Sequence, residues 1–175
     1  MTQVPGAQPS SWRNSLLNSG LRWWWLAILT IVLDQISKWL TVTYLDFGYP
    51  GVSLAPFFNL VHVYNPGAAF SFLADQDGWQ RWFFAGLAAA VTVLLSVWMA
   101  KLPKAARWLP AAYALVIGGA IGNVIDRLML GHVVDFLDFH VHAWHWPAFN
   151  LADSFIFIGA VMIIIDSLKK DKVDD

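Results

Sequence analysis

The chain has 175 residues, of which 58% are hydrophobic and only 13% charged, and its mean hydropathy is +0.53. A soluble domain carries roughly 25% charged residues, so this is the composition of a membrane protein. A formal net charge of −1 gives no electrostatic footprint for nucleic acid, and with no cysteine there are no disulfides, thiolate ligands or cysteine nucleophiles.

Residues 1–20, rich in Ser, Asn, Gly and Pro, read as a disordered cytoplasmic extension. Arg13 and Arg22 precede an apolar run from Trp23 to Leu33, the outline of a cleaved signal peptide. No small-residue cleavage site follows, and Asp34 to Lys38 carries the helical spacing onward, which favours an uncleaved first span. Four segments have about the 20 residues a bilayer crossing needs: 23–45, 82–100, 108–130 and 150–168. They define one four-span domain over residues 21–169, followed by a short tail at 170–175. Lys and Arg precede the first span, separate the second from the third and follow the fourth, while loops 46–80 and 131–149 contain none. Both termini are therefore expected in the cytoplasm and both long loops outside.

In the first outer loop, Phe57 to Tyr64 is β-prone and Asn65-Pro66-Gly67 is a turn signal. Gly67-Ala68-Ala69 permits close backbone approach, and Phe70 to Leu73 suggests a short interfacial helix. The expected fold is thus an all-α membrane bundle of four helices with a small outer β-rich platform. Asp75, Asp77 and Gly78 then turn the chain toward the second span.

The informative residues are the polar ones in apolar surroundings. Asp135 and Asp153, 18 residues apart, each border a segment of membrane-spanning length, where an ionisable group is costly and marks a functional site by default. A helical rise of 1.5 Å per residue places Asp126 roughly 27 Å up the third span, near the outer face. Asp34 lies about 17 Å up the first span, with Lys38 one turn higher. Asn65, Asn123, Asp126, Arg127, Asp135, Asn150 and Asp153 thus converge near one leaflet. Asn123, Asp126 and Arg127 share a helix face, beside Gly118, Gly119 and Gly122, which allow close helix approach. Asp34 and Lys38, at i and i+4, read first as a neutralised structural pair, and Asp126 with Arg127 as organisers of the site. Asn150 or Asp153 is expected to cap the fourth helix. Taken alone, Asp153 also fits a helix N-terminal charge and Asp135 a solvated loop carboxylate.

Other constellations are weaker. His140, His142 and His145 with Asp138 have zinc-like spacing but lie between Trp144 and Trp146 in a short loop. Ser37 and Lys38 are adjacent on a helix and point about 100° apart, which disfavours a serine–lysine dyad. A proton-coupled transporter would spread its acids along a pathway rather than gather them at one face. A non-catalytic binding scaffold would bind the same partner without turnover.

Five segments in order make a specific signature: Asp34-Gln35-Ile36-Ser37-Lys38, Tyr64-Asn65-Pro66-Gly67-Ala68-Ala69-Phe70, Gly118-Gly119-Ala120-Ile121-Gly122-Asn123 running on to Asp126-Arg127, Gly131-His132-Val133-Val134-Asp135-Phe136, and Phe149-Asn150-Leu151-Ala152-Asp153-Ser154. Over residues 20–168 the chain resembles lipoprotein signal peptidase (type II signal peptidase), a bacterial membrane aspartyl protease. The resemblance implies an endopeptidase of the inner membrane that cleaves diacylglyceryl-modified prolipoproteins just before the lipidated cysteine. It implies Asp135 and Asp153 as catalytic residues, with Asp34, Lys38, Asn65, Gly67, Asn123, Asp126, Arg127, Val133, Asn150 and Ala152 in support. It further implies cyclic-peptide inhibitors such as globomycin. Water activation by two carboxylates needs no metal or organic cofactor, membrane lipid is the expected neighbour, and an outer platform at 46–76 is expected to clamp over substrate.

Overall fold

The computed structural model describes residues 18–67 and 79–170. The segments Ala68-Ala69 and Phe70 to Leu73, the turn at Asp75–Gly78, most of the N-terminal extension and the last five residues lie outside this description. Residues 18–20, expected within a disordered extension, are structured. Ser19 bridges to Pro103 and caps a single 3₁₀ turn at Gly20–Trp23, its Oγ accepting from Leu21 N at 3.3 Å.

Four long helices follow: α1 (Trp24–Tyr44), α2 (Gln80–Lys101), α3 (Trp108–Leu130) and α4 (Leu151–Lys170). All four are long and apolar enough to cross a membrane. α3 is the hub, packing against each of the other three. Half of its most apolar stretch is buried, against 11% for α2 and α4, whose outward faces are left for lipid. The glycines of α3 explain how the hub fits. A Cβ on Gly118 would strike Thr30 of α1, one on Gly119 would strike the Ala152 carbonyl of α4, and one on Gly122 would sit 2.6 Å from Asp34 Oδ2. Ala27, Leu95, Met99, Tyr113, Ala114 and Ile117 form the apolar core toward the opposite end of the bundle.

At the other end lies an antiparallel sheet in the order β1 (Gly48–Ala55), β2 (Phe58–Asn65), β3 (Val133–Val141), β4 (Trp144–His145). Strand β2 fulfils the β-prone reading of Phe57 to Tyr64. Strands β3 and β4 correct the reading of 131–149 as a loop. Val133, Val134, Phe136, Phe139 and Val141 favour a pleated surface, and pairing with β2 supplies the hydrogen bonds that make β3 a strand. The platform is therefore built from both inter-span segments, and Asp135 lies inside it rather than on a loop. Gly131, with φ of 82°, ends α3 in the left-handed conformation and turns the chain directly into β3. The sheet is curled. β1 and β4 occupy opposite edges, yet Tyr49 of β1 meets His145 of β4 with ring centroids 5.7 Å apart.

The close α3–α4 approach gives a direct test. In Gly119→Ala the new methyl meets a backbone carbonyl that cannot rotate away, so the helices must separate at a cost of about 2 kcal/mol. The variant should unfold at lower temperature than the parent in detergent, and an unchanged transition would contradict the packing described.

Candidate active site

The site is assembled where α1, α3, α4 and the sheet meet. Lys38 is buried and its Nζ lies 2.8 Å from Asp34 Oδ2, 3.0 Å from Asp126 Oδ2 and 3.0 Å from Asn123 Oδ1. One ammonium thus neutralises carboxylates of two helices, more than the i, i+4 pair expected from spacing. Each acid has a second task. Asp34 Oδ1 accepts from Ala152 N at 2.9 Å, holding the first turn of α4 to α1. Asp126 Oδ2 accepts from Val134 N at 3.1 Å, fixing the start of β3 against α3. Ser37 Oγ donates to the Asp34 carbonyl at 2.7 Å, a local helix bond and no dyad with Lys38.

Two asparagines pass this framework on to the acid pair. Asn150 caps α4, its Oδ1 accepting from Asp153 N at 3.0 Å, as the spacing suggested. Its Nδ2 donates to Asp135 Oδ1 at 2.7 Å and reaches Asn123 Oδ1 at 3.2 Å. Asn123 Nδ2 donates to Asp153 Oδ1 at 2.7 Å. From β2, Asn65 Nδ2 donates to Asp135 Oδ2 at 3.1 Å, a diagonal contact set by the pairing of Val63 with Asp135. Gly67 N donates to Asn65 Oδ1 at 3.1 Å, and Gly67 O accepts from Arg127 Nη2 at 2.8 Å. Arg127 Nη1 also donates to the Asn123 carbonyl, and its guanidinium lies over Phe84 of α2 at 4.7 Å. Asp126 and Arg127 are thus not partners: the acid turns to Lys38, the base to the end of β2.

The twelve site residues that the resemblance implies lie together in this one assembly. Asn65, Asn123, Arg127, Val133, Asp135 and Asp153 line a cleft of about 1170 Å³, whose apolar walls include Val63, Phe149, Ile156 and Phe157. Asp34, Lys38, Asp126, Asn150, Gly67 and Ala152 stand behind it as its frame. Gln35 was missed as a site residue. Its Nε2 donates to Asp126 Oδ1 at 2.9 Å and to the Gly122 carbonyl at 3.2 Å. A polar residue between Asp34 and Lys38 in a membrane helix was the available signal. Among the described residues no three His, Asp or Glu side chains gather as metal ligands. Asp138 and His145 pair with each other, as described below.

Asp135 is 2% exposed. Burial, and then the neighbouring Asp153 carboxylate, push its carboxyl up to about 7, against the pull of Asn65, Asn150 and Lys38. Two carboxylates share the cleft, and near neutral pH the pair retains a proton. Tyr49, on the cleft wall, has its phenol pushed upward by burial and then by Asp138 and Asp135.

The signal peptidase II family model matches residues 26–169. A lipoprotein signal peptidase of Aeromonas hydrophila subsp. hydrophila is 67% identical over 157 residues, covering 90% of this chain and 94% of that protein. The lipoprotein signal peptidase of Vibrio cholerae serotype O1 is 53% identical over 159 residues, covering 90% and 93%. A bacterial membrane enzyme solved by the in meso method at 2.3 Å superposes with a TM-score of 0.75 at 29% identity, covering 94% and 93% of the two chains. The protein is thus a multi-pass membrane protein of the aspartic peptidase class. Within that class, it belongs to the signal peptidase II family.

The buried ion cluster can be probed without touching the acid pair. Lys38→Met would leave Asp34 and Asp126 facing each other with no cation between them, at a cost of about 3 kcal/mol or more. A thermal transition in detergent well below the parent's is expected. Equal stability would mean that Lys38 does not neutralise the two acids.

Proposed function

We propose that Asp135 and Asp153 are the catalytic dyad with which this signal peptidase II removes signal peptides from prolipoproteins. The observation that carries the reading is their shared cleft: Asn150 and Asn123 tie the two carboxylates into one hydrogen-bonded unit, and Asp135 holds its proton toward neutral pH. In such a pair one member is ionised and the other protonated. The ionised carboxylate takes a proton from water as the water oxygen attacks the scissile carbonyl carbon. The protonated partner donates a hydrogen bond to the carbonyl oxygen as negative charge develops there. Collapse of the tetrahedral intermediate breaks the C–N bond, and a proton passes to the leaving amine. Because the pair titrates jointly, base and acid belong to the pair and not to fixed residues.

The same reading supplies orientation and substrate. The distribution of Lys and Arg supports cytoplasmic termini, which sets the sheet and the dyad at the outer leaflet of the bacterial inner membrane. A signal peptide is itself an apolar helix, and a diacylglyceryl-modified cysteine would hold the cleavage point at that depth. Cleavage falls just before this cysteine. The apolar walls of the cleft suit both the peptide and its lipid, and a cyclic-peptide inhibitor such as globomycin would compete for the same space. Asn123, Asn150, Asn65 and Arg127 orient the dyad, while Asp34, Lys38 and Asp126 lock the helices that carry it. The outer platform at 46–76, of which residues 68–76 lie outside the described residues, clamps over bound substrate.

Purified protein mixed with a diacylglyceryl-modified prolipoprotein should release the signal peptide. Asp135→Asn and Asp153→Asn should each lower turnover by at least about a thousandfold, with the thermal transition retained. Near-parental turnover in either variant would remove the dyad. The pH profile follows from the sign of the Asp135 shift. Raising pH through about 7 strips the proton that the pair needs, so kcat/KM should fall on the alkaline side of that value. A rate still climbing at pH 9 would contradict a proton-sharing pair.

A further inference from the structure

Asp138, His145 and Tyr49 take no part in the chemistry above. Asp138 is a fully buried carboxylate on β3. Its register partner on β2, Asn59, donates Nδ2 to Asp138 Oδ2 at 3.0 Å. His145 Nδ1 donates to the two oxygens of Asp138 at 2.8 and 3.0 Å, and the His140 ring stacks on His145 with centroids 4.9 Å apart. An exposed histidine is thereby fixed in position and in orientation. The edge of Tyr49 rests against this fixed imidazole at 5.7 Å, with the rings near perpendicular at 80°.

Tyr49 lies where β1 departs from regular pairing. β1 is an edge strand, and its register runs from Gly48 opposite His62 to Val52 opposite Leu60. Four residues along β1 thus match two along β2, and Tyr49-Pro50-Gly51 bulge out of the ladder. A side chain at such a bulge is placed by what it touches. A contact made only to fill space would bury the ring, yet Tyr49 is 54% exposed and lies on the wall of the cleft that holds Asp135 and Asp153. A half-exposed aromatic ring at a substrate cleft offers area that a bound chain can cover.

We infer that Tyr49 is a substrate-contacting, specificity-determining residue of this peptidase, held at the rim of the cleft by the Asp138–His145 pair reaching across the curled sheet. Tyr49 meets an apolar side chain of the signal peptide near the scissile bond. His145 and Asp138 are positioning residues that act through it. The inference rests on the reading of the cleft as the peptidase site.

Steady-state kinetics on a diacylglyceryl-modified prolipoprotein test this through a double-mutant cycle. Tyr49→Ala should raise KM by about tenfold, with much less effect on kcat, and Tyr49→Phe, which keeps the ring, should recover most of the loss. His145→Ala should raise KM by about fivefold in the parent and have no further effect in the Tyr49→Ala background. Asp138→Asn should behave as His145→Ala does. If Asp138→Asn does not fold, the exposed His145 still completes the cycle. An unchanged KM in Tyr49→Ala would overturn the inference. So would a His145→Ala effect of equal size in both backgrounds, which would mark a merely structural role. Those outcomes leave the dyad intact, whereas persistent turnover in Asp135→Asn would remove the reading beneath it.

Discussion

Lys38 imposes the constraint on which the rest of the site depends. Four acids, Asp34, Asp126, Asp135 and Asp153, crowd one end of a bundle of apolar helices, and among the described residues Lys38 and Arg127 are the cations buried with them. A charge removed from water must be paired or neutralised, because the desolvation cost in a low-dielectric interior amounts to several kcal/mol per ion. Lys38 is committed to Asp34 and Asp126, and Arg127 hydrogen-bonds two backbone carbonyls. Among the described residues no cation forms an ion pair with Asp135 or Asp153. The least costly answer for such a pair is to keep a proton, and that is the state an aspartic peptidase needs before it activates water. On the proposed reading, the charge deficit is part of the chemistry.

The same ions set the geometry. Asp34 holds the first turn of α4, and Asp126 holds the first residues of β3. Asp153 and Asp135 each follow directly on the anchored residues Ala152 and Val134, so the two halves of the pair arrive from different elements already registered against α3. Asn150 then does three things at once. It caps α4, binds Asp135 and meets Asn123, which binds Asp153. Short polar side chains suit this work because an amide donates and accepts without adding charge. The glycines of α3 bring the backbones close enough for these short arms to reach.

Much of this was legible in the sequence, for physical reasons. The four spans follow from length and hydropathy, and span ends, orientation and helical rise together bring Asp126, Asp135 and Asp153 to one depth. The capping role of Asn150 and the close packing at Gly118, Gly119 and Gly122 were readable from local rules. The partners of Asp126 and Arg127 were not, because adjacent helical residues diverge and their destinations lie on other elements. Strand β3 was not legible because 131–149 is a short stretch between two strongly apolar spans, with no strand partner nearby in sequence. Its β-branched and aromatic residues carried the signal, but a strand needs a partner, and β2 lies some 70 residues earlier. Gln35 was hidden for a similar reason, since its value comes from Asp126 across the bundle. The histidines between the two acids looked like possible metal ligands by spacing. In the fold, His145 is occupied by a buried aspartate, and His140 is stacked against it.

A site-specific titration of Asp135 tests the central claim most directly. With ¹³C-labelled aspartate carboxyls followed by NMR, Asp135 in the parent should titrate near 7, and replacing Asp153 by Asn should move it downward by removing the neighbouring charge. Titration of Asp135 near 4 in both proteins would contradict the account, because the two carboxylates would then share neither a proton nor a field.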